Sequence, residues 1–119
     1  MYSRLRTGRD YIEANLHRNL SLDEVASEAC LSKFHFMRLF KQAFGQTVHQ
    51  FITARRLSRA RLLLQLEEKT FPEICRSMGY EDVAWFAKVY KRTFGMPPTR
   101  QAQVSAFQFS NQGSALAVA

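Results

Sequence analysis

Two stretches of this sequence place apolar and basic side chains on one helical face in the same order. KFHFMRLFKQAFG at 33–45 is nearly repeated, fifty residues later, as VAWFAKVYKRTFG at 83–95. At about 100° per residue, the shared face carries Phe34, Met37, Arg38 and Lys41 in the first copy and Ala84, Ala87, Lys88 and Lys91 in the second. Small or apolar residues in the leading turn can meet base edges and thymine methyls, and the basic residues behind them can meet phosphates or guanine. The pattern therefore predicts two helices that enter the major groove of double-stranded DNA.

The charge distribution favours this prediction over an ordinary solvated helix face. The chain has a formal net charge of +7 and a pI of about 9.9, which favours a polyanionic partner. No Asp or Glu occurs between Ala29 and Leu66 or after Asp82. The basic residues in these acid-free stretches include Lys33, Arg38, Lys41, Arg55, Arg56, Arg59, Arg61, Lys88, Lys91, Arg92 and Arg100. Because a generic surface mixes the two signs, the segregation indicates nucleic acid first and an anionic membrane second.

The elements that must position these faces are short helices with clear start and stop signals. The predicted N-caps are Ser21 with Glu24 as its capping-box partner, Ser32 and Asp82. Another helix opens at Phe71 with Pro72 in its first turn. The predicted helix stops are Gly45, Gly79 and Gly95. Each pair of short helices around a tight turn is a helix-turn-helix candidate.

The face opposite the basic one is predicted to be hydrophobic core. It carries Phe36, Leu39, Phe40, Ala43 and Phe44 in the first copy and Phe86, Val89, Tyr90, Thr93 and Phe94 in the second. Cys30 and Cys75 are expected as buried small hydrophobes in a reducing compartment. The border between the two faces holds Trp85 and His35, where packing is favoured over a DNA contact.

We predict an all-α fold of two helix-turn-helix subdomains joined by one long helix. The predicted ranges are a lead-in at 1–7, a first subdomain at 8–47 whose first helix starts at about Gly8, a joining helix at 48–66, a second subdomain at 67–101 and a disordered tail at 102–119. From Val48 to Leu64 the joining helix spans about 26 Å. With part of each subdomain added, this approaches the roughly 34 Å between major-groove segments on one side of DNA. One chain is therefore expected to bind as a monomer, with reading helices at about 32–44 and 82–94.

Other classes of protein are less compatible with the sequence. The opening residues contain no apolar signal segment and no stretch approaches the length of a membrane span, so we expect a cytoplasmic protein with no membrane partner. The histidines and cysteines show no metal-ligand spacing, and no metal or other cofactor is expected. No nucleophile elbow, phosphate loop or carboxylate pair indicates an enzyme. The competing interpretation is a basic amphipathic module that binds a membrane surface, or one that docks on an acidic protein such as RNA polymerase.

A longer run of residues resembles a known family. SLDEVASEACLSKFHFMRLFKQAFGQTVHQFITARRLSRARLLL, followed by FPEICRSMGYEDVAWFAKVYKRTFGMPP, resembles the DNA-binding domain of the AraC/XylS transcriptional regulators. The match covers about residues 8–101, and its most specific part is GYEDVAWF at 79–86. The resemblance implies about seven helices, two helix-turn-helix subdomains and a sequence-specific regulator, with activation as the expected effect on transcription. Many members also carry an effector-binding domain, so this chain is expected to be a stand-alone activator or the DNA-binding part of a longer regulator.

The resemblance also implies roles for individual residues. The base-reading positions of the family fall on Phe34, Met37, Arg38, Val83, Ala84, Ala87 and Lys88. Arg56 takes the basic position that the family carries on its joining helix. Phosphate contacts are assigned to Ser32, Lys33, Lys41, Arg56 and Lys91, which flank the reading faces or lie on the joining helix. The sequence departs from the family pattern at Ala84, where a small hydroxyl is common, and at Gln101-Ala102, where Tyr-Arg often closes the domain.

Overall fold

The structure, a computed structural model, describes residues 2–99, which form helices joined by short turns and loops. Its six helices are α1 (Tyr2–Ala14), α2 (Leu22–Glu28), α3 (Lys33–Phe44), α4 (Val48–Leu66), α5 (Phe71–Ser77) and α6 (Val83–Phe94). No strand occurs among these residues, so the predicted all-α class is confirmed. Pro98 and Thr99 are again helical. The rest of the predicted last helix and the tail predicted at 102–119 lie outside the described residues.

The chain divides into two compact units. Among the described residues, unit 1 consists of residues 2–56 with Ser77–Gly79, and unit 2 consists of Leu57–Arg76 with residues 80–99. In unit 1, α1, α2 and α3 pack on one another. Helix α4 begins in unit 1 and ends in unit 2, and its bounds coincide with the range predicted for the joining helix.

Helix α1 begins earlier than the sequence predicted. The predicted helix started at about Gly8, because Tyr11, Ile12 and Leu16 have helical spacing. The helix in the structure begins at Tyr2. Leu5 continues the buried face of Ile12 toward the N-terminus and is only 3% exposed. The Tyr2 ring packs against the end of α3, with its centroid 6.0 Å from that of Phe44. Most of the segment predicted as a lead-in is therefore part of a packed helix.

Unit 1 is built around phenylalanine rings from α3 and α4. Phe36 and Phe40 are fully buried, and their ring centroids are 5.6 Å apart. Phe40 makes edge-on contacts with Phe44 at 4.7 Å and with Phe51 at 5.4 Å. Ala43 is exposed although it was predicted on the same face. The buried stripe of α3 is thus narrower than predicted, and it lies on the side opposite the basic residues.

Unit 2 repeats this arrangement around α6. Phe86 and Tyr90 are fully buried, and the Phe71 ring stacks on Phe86 at 5.7 Å and meets Tyr90 edge-on at 5.8 Å. The Tyr90 hydroxyl has no hydrogen-bond partner within the part of the chain that the structure describes. Burial raises the pKa of Tyr90 to about 12. Thr93 is exposed, as Ala43 is in unit 1.

Side-chain caps begin several of the helices. The predicted capping box is present: the Ser21 hydroxyl accepts from the Glu24 N–H at 3.1 Å, and the Glu24 carboxylate accepts from the Ser21 N–H at 2.9 Å. Thr47 and Gln50 form a second box at the start of α4, with distances of 3.0 and 2.9 Å. This second box was not predicted, although the spacing of Thr47 and Gln50 fits the same rule.

Residues in the left-handed conformation end the helices. Gly45 after α3 and Gly95 after α6 have φ of 74° and 81°, as predicted for helix stops. After α5, Gly79 has φ of 85°. The corresponding turn after α2 uses Cys30 at φ of 58°, and this position leaves the cysteine exposed rather than buried as predicted. Cys75 is buried within α5, and desolvation raises the pKa of its thiol to about 11.

Candidate nucleic-acid interface

The outward face of α3 exposes large apolar side chains beside basic ones. We call Phe34, Met37, Arg38 and Lys41 the first reading face. Phe34 is 76% exposed and Met37 is 40% exposed, whereas Phe36 and Phe40 in the same helix are fully buried. Arg38 and Lys41 are also exposed. Lys33 lies nearby, with its Nζ 5.8 Å from the centre of the Phe34 ring. Exposed apolar groups of this size are informative because a folded unit normally buries them unless they contact a partner.

An apolar groove in unit 1 borders the first reading face. Its volume is about 370 Å³. It is lined by Leu22 of α2, by the four residues of the first reading face, and by Thr47, Val48 and His49 at the start of α4. The lining residues from α2 and α4 were not predicted to belong to a site. No local pattern marks them, because the groove forms only when three helices meet.

The corresponding face of α6 is smoother. We call Val83, Ala84, Ala87, Lys88 and Lys91 the second reading face. Ala84, Lys88 and Lys91 are exposed, while Val83 and Ala87 are half-buried. This face carries no apolar side chain as large as Phe34 or Met37 of the first reading face. It presents a shallow surface of small groups at its leading turn, followed by two cations.

Trp85 stands beside the second reading face and is 39% exposed. Its ring centroid lies 5.8 Å from that of Tyr80 and 6.3 Å from that of Phe86. The indole therefore packs on one side and meets solvent on the other, at the border where the sequence placed it. His35 of α3 is likewise half-buried.

The two reading helices begin with different caps. The Ser32 hydroxyl accepts a hydrogen bond from the His35 N–H at 3.3 Å, and the Asp82 carboxylate accepts one from the Trp85 N–H at 3.0 Å. A hydroxyl that accepts one bond still has a proton to donate, whereas an ionised carboxylate can only accept. The start of α3 can therefore donate to a phosphate oxygen, and the start of α6 carries a negative charge that repels one.

Arg56 occupies a different environment from the one predicted for a phosphate contact. It is 5% exposed. Its guanidinium donates to the carbonyl oxygens of Leu16 at 3.3 Å and Arg18 at 2.6 Å. A buried cation needs such partners because it has lost its hydration. Arg56 thus ties α4 to the connection between α1 and α2, and we leave it out of the proposed phosphate contacts.

A charged network joins α1 to the start of α2. The Arg18 guanidinium donates to a Glu24 carboxylate oxygen at 2.7 Å, and the Tyr11 hydroxyl donates to the same oxygen at 2.8 Å. The bond from Arg18, the N–H of Ser21 and the bond from Tyr11 together lower the pKa of Glu24 to about 2. The ionised carboxylate therefore helps to hold together the two helices on which α3 packs.

This network predicts a loss of stability in acid. The pKa of Glu24 is about 2 in the folded state, against an ordinary value of 4.5. The unfolded chain therefore binds this proton more tightly, so the contribution is fully present above about pH 4.5 and is lost as the pH falls through about 2. Glu24→Gln should flatten this part of the pH profile, measured by thermal unfolding between about pH 6 and 2. Glu68→Gln, an exposed carboxylate outside the network, is the control. Identical acid profiles for Glu24→Gln and the parent chain would contradict the prediction.

Residues 2–99 contain neither a metal-binding cluster of side chains nor a helix that could span a membrane. No cluster of three or more His, Cys, Asp or Glu side chains in that range could hold a metal ion. Among the same residues, no helix combines the length and apolar composition needed to cross a membrane.

Comparisons with known proteins identify the family to which the sequence and the fold belong. A family model described as a helix-turn-helix domain matches residues 25–103. The TetD protein of transposon Tn10 from Escherichia coli is 38% identical over 89 residues, covering 75% of this chain and 64% of TetD. The probable transcriptional regulator LumQ from Photobacterium leiognathi is 33% identical over 91 residues, covering 76% of this chain and 37% of LumQ. This chain therefore spans less than two thirds of either relative.

A solved structure shares both the fold and the sequence pattern. It is a transcriptional regulator from Chromobacterium violaceum, described as containing an AraC-type DNA-binding domain. Its TM-score is 0.78 and its identity is 30%, and the match covers 88% of this chain and 94% of that one. The resemblance that the sequence suggested is thus confirmed. This chain belongs to the AraC/XylS family of transcriptional regulators and contains the helix-turn-helix DNA-binding domain of that family.

Proposed function

We propose that this chain binds double-stranded DNA sequence-specifically and regulates transcription, with α3 and α6 in adjacent major-groove segments. The observation that carries the proposal is the repeated exposed face. Arg38 and Lys41 of α3 and Lys88 and Lys91 of α6 occupy equivalent exposed positions, each behind a leading turn of apolar or small residues. A generic solvated surface gives no reason for this repeat. The family consists of DNA-binding regulators, and an enzymatic activity is not part of the proposal.

The first reading face is proposed to supply most of the base discrimination. Arg38 can donate two hydrogen bonds to the O6 and N7 acceptors of a guanine. Phe34 and Met37 can contact thymine methyl groups, because their exposed apolar surface lies on the same side of α3. A guanine and a neighbouring thymine are therefore the expected preferences in this half of the site.

The second reading face is proposed to contribute less base discrimination. Val83, Ala84 and Ala87 offer short apolar contacts and no hydrogen-bond donors of their own to base edges. Lys88 supplies a cation without the fork geometry of a guanidinium. Asp82 at the start of α6 also disfavours a close phosphate. We infer that this half of the site is read through thymine methyls and DNA shape.

Phosphate contacts are proposed for Ser32, Lys33, Lys41 and Lys91. All four are exposed and flank the reading faces. Ser32 combines the start of a helix with a free hydroxyl proton, an arrangement that suits an anion. These contacts carry no sequence information and set the register of the protein on the duplex.

The wider role is proposed from the family and the charge. We propose activation of transcription, with RNA polymerase as a protein partner, binding to DNA as a monomer and a cytoplasmic location. The positive charge of the chain is compatible with both a DNA site and an acidic surface on a second protein.

The test of DNA binding is a selection from random duplexes followed by footprinting. One chain should protect two adjacent segments about one helical turn apart, in an asymmetric site. The stoichiometry can be read from titration at a duplex concentration well above Kd. A symmetric palindrome that binds strictly two chains would contradict the proposal of monomeric binding.

A comparison of the selected duplex with anionic vesicles distinguishes DNA from a membrane surface as the partner. An amphipathic helix binds a bilayer through its apolar face. In α3 that face carries Phe36 and Phe40, which are fully buried in unit 1. The chain should therefore bind duplex DNA far more tightly than anionic vesicles at equal salt, and the reverse order would support the membrane alternative.

The phosphate contacts predict a change in salt dependence. Lys41→Ala should weaken specific and random duplexes by similar factors. It should also lower the magnitude of the slope of log K against log salt by about 0.9. The variant neutralises one phosphate fewer, so binding releases correspondingly fewer counterions. Lys69→Ala removes an exposed lysine outside the proposed contacts and is the control. A loss of specificity from Lys41→Ala as large as that from Arg38→Ala would show that Lys41 reads a base.

A further inference from the structure

The apolar groove beside the first reading face has more apolar surface than base reading requires. Its apolar lining consists of Leu22, Phe34, Met37 and Val48. A duplex offers a protein phosphates, sugars and polar base edges, and its main apolar groups in the major groove are thymine methyls. A bound duplex would therefore leave much of this lining without a matching apolar partner.

The charged lining of the groove has one sign. Arg38 and Lys41 contribute to it, and none of the lining residues is Asp or Glu. The volume, about 370 Å³, falls in the range of roughly 300–1,000 Å³ that small-molecule sites occupy. Such sites combine a mostly apolar lining with a few polar groups that fix the orientation of the ligand. Here the charged groups among them are Arg38 and Lys41, so the matching ligand has an apolar body and one anionic head.

We propose that this groove binds a small amphipathic anion, a carboxylate on an aliphatic or aromatic body. The apolar body lies against Leu22, Met37 and Val48. The carboxylate accepts charge-assisted hydrogen bonds from Lys41 and Arg38, which are stronger than bonds between neutral groups. The assignment of the groove stands on its lining and charge alone.

A consequence for regulation follows, and it rests on the proposed function. Arg38 and Lys41 belong both to the groove and to the first reading face. A bound carboxylate therefore occupies the cations that the duplex needs. The anion acts as a competitive inhibitor of DNA binding, and DNA in excess displaces it.

The direct test is a titration of the full chain with octanoate, followed by NMR of the backbone amides. Saturable shifts should centre on Leu22, Met37 and Val48. Octanol, which has the same body without the charge, should bind at least about tenfold more weakly, as expected for loss of a charge-assisted hydrogen bond. Octylammonium should produce no saturable shift at these amides. Octanol binding as tightly as octanoate would overturn the proposal.

Chain length tests the apolar part of the site. Complete burial of two more methylenes would improve affinity about 15-fold. In an open groove we expect at least about threefold between hexanoate and octanoate, as partial burial of the same groups. Met37→Ser should reduce this gain. Equal affinity for hexanoate and octanoate would overturn the proposal, because it would mean that only the charge is recognised.

Two lysine variants test the location of the head group. Lys41→Gln should weaken octanoate about tenfold, since it removes one charge-assisted partner. Lys91→Gln makes the same change at the equivalent exposed position of α6, outside this groove, and should leave octanoate binding unchanged. Equal losses from the two variants would overturn the proposal and indicate general attraction to a basic protein.

Competition is measured with the selected duplex, octanoate and a matched concentration of acetate that corrects for ionic strength. Octanoate should raise the apparent Kd of the duplex by a factor of one plus the ratio of octanoate concentration to its own Kd, so the rise is linear in octanoate concentration. Octanoate that binds but leaves the duplex affinity at the acetate value would overturn the regulatory part. A chain that binds octanoate and no duplex at all would contradict the proposed function while supporting the assignment of the groove.

Discussion

Arg38→Ala should weaken binding to the selected duplex by about 5- to 160-fold, corresponding to about 1–3 kcal/mol for a lost bidentate contact to guanine. Arg38 is exposed on α3 between Met37 and Lys41. Its loss should also relax the base preference at one position, since the alanine leaves that guanine without a discriminating partner. The measurement is a comparison of the parent and variant chains on a set of duplexes that covers every single substitution of the site.

The matched control is Lys88→Ala, which removes the basic residue at the equivalent position of α6. We expect a smaller loss of specificity from Lys88→Ala, because the second reading face is proposed to read methyls and shape. Affinity for a random duplex should fall by a similar modest factor in both variants. A substitution scan in which the second segment discriminates bases more strongly than the first would contradict this division of roles.

Gly8→Ala should destabilise unit 1 even though alanine favours a helix. A Cβ at Gly8 would lie 2.6 Å from Cε1 and 2.8 Å from Cζ of Phe36. The Phe36 ring is fully buried and packs on Phe40 at 5.6 Å, so it has little room to retreat. Overpacking typically costs about 1–3 kcal/mol, and the helix preference of alanine returns at most about 1 kcal/mol. We expect a net loss of up to about 2 kcal/mol in the free energy of unfolding, measured by denaturant titration.

A double-mutant cycle connects this loss to the contact. Phe36→Leu alone should be destabilising, but Gly8→Ala should cost much less in that background, because the ring that it meets is gone. Ser3→Ala, an exposed substitution in the same helix, controls for helix preference and should be neutral or slightly stabilising. Additive losses in the cycle, or a stabilising Gly8→Ala, would show that the ring moves aside freely.

Much of the fold was predictable because its signals are local. Ser32 and Asp82 cap their helices through bonds to residues three positions away, and Gly45 and Gly95 end them with backbone conformations that favour glycine. The buried stripe follows from helical periodicity alone. For the same reason, helical periodicity predicts the exposed positions of the reading faces, although Val83 and Ala87 are half-buried.

The features that could not be predicted depend on distant parts of the chain. Arg56 is buried because its partners are carbonyl oxygens of Leu16 and Arg18, 40 and 38 residues earlier. In the sequence it is one more arginine in a basic helix. Cys30 was expected to be buried from its composition class, whereas its left-handed backbone in the turn leaves it exposed. Residue propensities describe how often a residue type is buried or exposed. They could not predict the burial of Arg56 or the exposure of Cys30, because both depend on the surrounding structure.

The single tryptophan of the chain, Trp85, gives one unit an optical signal that the other lacks. It lies in α6 with one side against Tyr80, while the core rings of unit 1 are phenylalanines such as Phe36 and Phe40. Indole emission therefore originates only from unit 2. Unfolding of α6, or binding of a duplex next to it, changes the wavelength and intensity of the tryptophan emission. An event confined to unit 1 leaves this emission unchanged. The duplicated unit thus carries a built-in label on one copy, and the two halves can be followed separately without attaching a dye.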